Sequence, residues 1–174
     1  YANQVDSIFC FATSAVRDAK NREHFIELVN RCCGIDVQVL SGTEEAKAAF
    51  TGALVDIPYK HGKVMLVDIG GGSTELVLGK GDCIDYSVSM DVGAVRLTEM
   101  FPLAYPVNYD KWNAMAAFVR SLLKQQWRGE CLSFPMVGVG GTITSLAAMD
   151  QGLEVYDRNR IQGYHLDKNA VEKL

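Results

Sequence analysis

The stretch from Val64 to Met90 restricts the fold more than any other. VMLVDI (64–69) is a continuous apolar run, while TELVLGK (74–80) and CIDYSVSM (83–90) alternate apolar with polar residues. Gly70-Gly71-Gly72 and Gly81-Asp82 stand between them as turns, so three consecutive strands are expected. With the first turn centred midway, Asp68 and Glu75 face each other across a hairpin, where opposed Cβ atoms sit ~4.5–5.5 Å apart. Two carboxylates that close repel unless a cation lies between them. Magnesium suits the place, since it binds one or two carboxylates and completes its shell with water and phosphate.

Between the two carboxylates, Gly70, Gly71 and Gly72 let the backbone approach a ligand and aim successive N–H groups at it, which suits phosphate. Ser73 and Thr74 add hydroxyl donors. A glycine hairpin with merely solvated carboxylates is the plainer alternative. A P-loop is excluded, because G-x-x-x-x-G-K-[ST] is absent. A dinucleotide fingerprint and a nucleophile elbow both fail at Glu75, where each needs glycine. A second loop, Gly138-Val139-Gly140-Gly141-Thr142, joins an apolar strand to a helix. It reads either as an anion site at a helix start or as close strand–helix packing.

Around these loops the chain alternates strands and helices. SIFCFA (7–12) reads as a buried strand. A helix capped by Thr13 and Ser14 is expected over 15–32 and stops at Gly34. IDVQVL (35–40) reads as a strand, and Ser41-Gly42-Thr43 opens a helix near 44–55 with Glu44 and Glu45 in its first turn. Pro58 to Gly62 reads as a linker. After Gly93 comes a short helix, then a longer one over 109–127. Its inner stripe is Trp112, Met115, Phe118, Val119, Leu122 and Leu123. FPMVGV (134–139) leads through the second glycine loop to a helix near 143–150, and a last helix follows Asp167. FCFATSAVRDA (9–19) and VGVGGTITSLA (137–147) share one pattern of strand, small polar turn and helix. Two related modules are therefore expected, the first lacking its opening three strands. The start at Tyr1 rather than Met also reads as a piece cut from a longer chain.

The composition narrows the partners. With 17 basic and 21 acidic residues the net charge is −4, so no global basic field exists to hold nucleic acid. No apolar run approaches the ~20 residues of a membrane span. Five cysteines, an odd number without a C-x-x-C pair, give no disulfide framework or zinc ribbon. They suit a reduced, cytoplasmic setting. His24, His61 and His165 form no cluster and read as surface residues, whereas Trp112, Trp127 and the methionines read as core.

Taken together, ATSAVRDAKN (12–21), VLSGTEEAKAAFTGAL (39–54), LVDIGGGSTELVLG (66–79), DVGAVRLTE (91–99) and VGVGGTITSLAAM (137–149) resemble the exopolyphosphatase/guanosine pentaphosphate phosphatase (Ppx/GppA) family of the actin-like ATPase superfamily. The resemblance implies an α/β, ribonuclease-H-like module with a mixed five-stranded sheet at 58–174. It also implies the trailing part of a sister module at 1–57, with the cleft between them. It implies a magnesium-dependent hydrolase that releases terminal orthophosphate from polyphosphate or pppGpp. Glu45 matches the catalytic base, Arg17 a phosphate-contacting arginine, and Asp68 and Glu75 the metal-site carboxylates. Gly70 to Thr74, with Gly138, Gly140, Gly141 and Thr142, match the phosphate cradle. The family's opening Asp-x-Gly-Ser loop has no counterpart here, which leaves one wall of the cleft incomplete. The apolar surface of such a partial module would favour a homodimer. A non-catalytic phosphate sensor and an actin-like ATPase or sugar kinase are the alternatives.

Overall fold

The computed structural model describes residues 5–55, 62–127 and 134–174. The linker expected at 58–62 falls almost wholly outside them, as do His61 and Cys131. The expected hairpin forms as β3 (Val64–Ile69) and β4 (Thr74–Lys80), antiparallel, with Asp68 directly opposite Glu75 and Ile69 opposite Thr74. β5 (Cys83–Met90) continues the meander, and β6 (Met136–Val139) pairs parallel to β3, giving the order β5-β4-β3-β6. Among the described residues this sheet has four strands rather than the expected five. After α6 the chain turns at Gly152 (φ +60°), and Gln151 Nε2 donates to the carbonyls of Ala147 and Arg160.

The sheet is covered on both faces, as its alternation requires. On one face α3 (Gly42–Leu54) presses Ala46 and Phe50 onto Leu66 and Val77. A Cβ at Gly79 would stand 2.5 Å from the Cys83 carbonyl oxygen and 2.9 Å from the Phe50 ring. On the other face, Phe118, Val119 and Leu122 of α5 (Tyr109–Gln126) cover Met65, Leu76, Met90 and Val92. Only the C-terminal half of α5 reaches the sheet. Trp112, in its first turn, lies beyond that contact and is 48% exposed, contrary to the core role expected of it. Met100, Met136 and Met149 are likewise exposed and Met115 is half-buried, while Met65 and Met90 are buried. Trp127 packs edge-on against Tyr86 with ring centroids 5.2 Å apart. The remaining helices are α4 (Ala94–Met100), α6 (Gly140–Asp150), α7 (Arg158–Ile161) and α8 (Lys168–Lys173). Among the described residues no helix is long and apolar enough to cross a membrane.

The N-terminal part departs more from expectation. β1 is only Cys10–Ala12, paired parallel with β2 (Val37–Val39). The strand expected over 7–12 is not buried: Phe9 is 81% exposed, and Ile8 and Phe11 are exposed with it. β1 has one strand partner among the described residues, so its apolar side chains border an open cavity of about 950 Å³. The helix expected over 15–32 is two: α1 (Ser14–Arg17) and α2 (Arg22–Cys33), the latter ending at Gly34 with φ +66°. Asp18 stands at the end of the first and Asn21 at the N-cap position of the second, without a side-chain capping bond; short polar residues of this type favour helix ends over interiors. α3 begins with a capping box. Ser41 Oγ accepts from the Glu44 amide, while the Ser41 amide donates to Glu44 Oε2 at 2.8 Å. These bonds, the Ser41 backbone donor first, hold the Glu44 carboxyl below its ordinary range. The inner face of α3 is buried on the four-stranded sheet, so α3 belongs to the packing that surrounds the end of β3.

Candidate active site

The elements converge where β3 ends, and there the charge of Glu45 acts on two strand carboxylates, Asp68 and Glu75. Glu75 is 1% exposed, at the start of β4. Its register partner on β5 is Ser89, whose hydroxyl donates to Glu75 Oε1 at 2.7 Å. Ser89 in turn sits against Gly42, where a Cβ would come within 2.6 Å, so the start of α3 abuts β5 directly. That contact brings Glu45, one turn into α3, toward the hairpin. Arg17 of α1 then reaches across to it: Nη1 donates to Glu45 Oε2 and to the carbonyl of Leu40, both at 2.9 Å. Arg17 is thus a clamp on Glu45, joining the β1-β2 part to the sheet.

Burial first, and the charge of Glu45 second, push the Asp68 carboxyl above its ordinary range. Glu75 is raised chiefly by burial, with Glu45 and Asp68 adding repulsion and the hydroxyls of Ser89 and Ser73 opposing it. An acid whose folded pKa is raised binds its proton more tightly in the native than in the unfolded chain. Its stability contribution is full below the unfolded pKa and is lost as pH rises through the folded one. Ionisation of the pair therefore works against the fold. Asp68→Asn is expected to raise Tm at pH 7, and the gain should vanish as pH falls toward 3.8, the ordinary aspartate value. Thermal melts across that range check this; a lower Tm at pH 7 would contradict it.

The two glycine loops flank these acids. Gly70 N–H donates to the Ser73 carbonyl at 3.0 Å and closes the first turn. The two hydroxyls expected to face a ligand are turned inward. Thr74 Oγ1 donates to the Val92 carbonyl at 2.6 Å, and buried Ser73 bonds to Glu75. The amides of the first loop remain as its donors. In the second loop the glycines divide. A Cβ at Gly138 would strike Ile143, so that glycine serves strand–helix packing. Gly140 (φ +89°) lies against Asp68, while Gly141 is open. Gly70, Gly71, Gly141 and Thr142, with Ile69, Ala94 and Ser145, line a pocket of about 310 Å³. Among the described residues no three His, Cys, Asp or Glu side chains converge tightly enough to ligate an ion by themselves. The donor set still fits a magnesium ion that takes two carboxylates and fills its remaining positions with water and phosphate oxygens.

Ser89, Asp18 and Arg96 were not among the residues singled out from sequence. Ser89 was within reach, since it lies on the same face as Glu75 in an alternating strand. Asp18 and Arg96 become visible only once α1 and α4 meet at the loop.

A mixed β5-β4-β3-β6 sheet with a glycine hairpin and carboxylates at its end is the arrangement of the actin-like ATPase fold. Residues 2–174 match the Ppx/GppA phosphatase family, and the chain belongs to it. It is 37% identical over 176 residues to a bifunctional 3-dehydroquinate synthase/phosphatase of Fusobacterium nucleatum, covering 98% of this chain and 26% of that protein. It is 35% identical over 153 residues to Exopolyphosphatase 2 of Mycobacterium tuberculosis, covering 84% of this chain and 48% of the relative. The crystal structure of the Aquifex aeolicus Ppx/GppA family member superposes with a TM-score of 0.80 at 34% identity, over 99% of this chain and 55% of that one. The chain thus spans about half or less of the relatives it matches.

Proposed function

We infer that the natural protein carrying this chain is a magnesium-dependent phosphohydrolase that releases orthophosphate from the end of inorganic polyphosphate or of pppGpp. The observation that carries this reading is the setting of Glu45: it is clamped by Arg17, and its charge acts on Asp68 and Glu75, the two carboxylates at either end of the first glycine loop. Phosphoryl transfer needs positioning and charge stabilisation rather than covalent help. Glu45 Oε2 is taken by Arg17, which leaves Oε1 to orient the attacking water. Amides of both loops hold phosphate oxygens. Asp68 and Glu75 would hold the magnesium ion, which when bound neutralises phosphate charge. The name Exopolyphosphatase 2, borne by a relative, supports polyphosphate as the substrate class.

Phosphate release by the natural protein, with and without magnesium, tests this on long polyphosphate, pppGpp and ATP. Magnesium-dependent release from either of the first two is the expected result. Binding without release from any would make the protein a phosphate sensor. Release mainly from ATP would make it an actin-like ATPase.

A further inference from the structure

The carbonyls of the three loop glycines, Gly70, Gly71 and Gly72, all have partners on α4. Gly70 O accepts from the Ala94 amide at 3.0 Å, and Gly71 O from the amides of Val95 and Arg96 at 2.9 and 3.1 Å. Gly72 O accepts from the side chain of Arg96, Nε, at 2.9 Å. In a trans peptide the C=O and N–H groups point in opposite directions. Fixing these three carbonyls toward α4 therefore aims the N–H groups of Gly71, Gly72 and Ser73 the other way. The first two carbonyls are held by backbone, which any sequence supplies. The third depends on one side chain. Arg96 is itself held, because its Nη2 donates to Asp18 Oδ2 of α1 at 2.6 Å. Gly93 makes the approach possible: a Cβ there would lie 2.5 Å from Gly71 O and 2.7 Å from Gly70 O.

We propose that Arg96 is a positioning residue for phosphate binding: its guanidinium fixes the Gly72–Ser73 peptide so that the Ser73 N–H faces the anion, and Asp18 fixes the guanidinium. The inference rests on the phosphohydrolase reading and adds to it a residue that does not touch substrate. The fork shape matters more than the charge. Arginine spans two acceptors with a rigid planar group, whereas lysine presents one flexible point charge. Arg96 and Asp18 side chains are 34% and 42% exposed, so their bridge contributes little to stability. A loss of function without a loss of Tm is the consequence.

The test uses the natural protein with Arg96→Met, Arg96→Lys, Asp18→Asn and the Arg96→Met/Asp18→Asn double variant. The readouts are kcat/KM for phosphate release, orthophosphate affinity by titration calorimetry, and Tm. Arg96→Met should lower kcat/KM and orthophosphate affinity by about 10-fold or more, the scale of a lost charge-assisted hydrogen bond. Arg96→Lys should restore little of it. Asp18→Asn should give a smaller loss, and the double variant should be no worse than Arg96→Met, as for residues acting in series. Full recovery by lysine would overturn the proposal, since Arg96 would then act by charge on the substrate. A loss that tracks a fall in Tm, or no loss, would overturn it too. If the wild type releases no phosphate, the hydrolase reading falls, and orthophosphate affinity alone decides on Arg96: weakening by Arg96→Met supports its role, while unchanged or undetectable binding ends it.

Discussion

Glu45→Gln is expected to lower kcat for phosphate release by ~10²–10⁴-fold, the usual contribution of a positioned acid–base group. The substitution keeps the side chain's volume and an oxygen able to accept from Arg17, so the clamp at 2.9 Å has a partner in the variant. It removes the negative charge that orients and polarises the attacking water. It also removes repulsion, because the Glu45 charge is among the causes that raise both Asp68 and Glu75. Stability should therefore hold or improve while turnover collapses. That combination separates a catalytic role from a structural one. Steady-state phosphate release, substrate affinity and Tm are the measurements. A kcat within about threefold of the parent would remove Glu45 from the mechanism, since the lower bound for general acid–base help is ~10²-fold.

Gly140→Ala is expected to be the most damaging small substitution for the fold. Gly140 has φ +89°, where an L side chain costs ~1–2 kcal/mol. Its new Cβ would also stand 2.5 Å from Asp68 Oδ1 and 2.8 Å from the Ile69 carbonyl. The second of these is backbone in the middle strand pair and cannot swing aside; overpacking of this kind adds ~1–3 kcal/mol. The sum is about 2–5 kcal/mol. At ~2–4 °C per kcal/mol for a chain of this size, Tm falls by roughly 5–20 °C. Gly141→Ala is the control, since nothing lies within 4 Å of its Cβ. It should shift stability by no more than ~0.5 kcal/mol, as an open site allows. Denaturant or thermal unfolding of both decides the matter. Equal effects at the two positions would show that the close approach of the second loop to Asp68 carries no weight.

Much of the site was legible because it is local. The opposition of Asp68 and Glu75 follows from strand alternation and a turn centred between them, and the hairpin register has it so. The opening of α3 at Ser41, the stop at Gly34 and the helix after Gly93 follow from residues within a turn of each other. The misreadings share a cause as well. SIFCFA has the composition of a buried strand, but burial depends on what lies against it, and β1 has only β2 beside it among the described residues. Trp112 fits the apolar stripe of α5, yet the stripe meets the sheet only in its second half. The hydroxyls of Ser73 and Thr74 were free donors on paper. In the fold they are turned to Glu75 and to the Val92 carbonyl.

From sequence alone come the hairpin, the glycine loops and the opposition of Asp68 and Glu75, because alternation and turn chemistry act over a few residues, whereas Glu45 enters only through the family resemblance. Tertiary structure decided which of those groups meet. Arg17 and Glu45 are 28 residues apart in the chain, and Arg96 and Asp18 are 78 apart. Their pairing depends on where the fold brings α1, α3 and α4 relative to the end of one sheet, and no local pattern encodes that distance. The orientation of the loop amides belongs to the same level. A glycine can turn its peptide either way, and here the donors of α4 hold it in one.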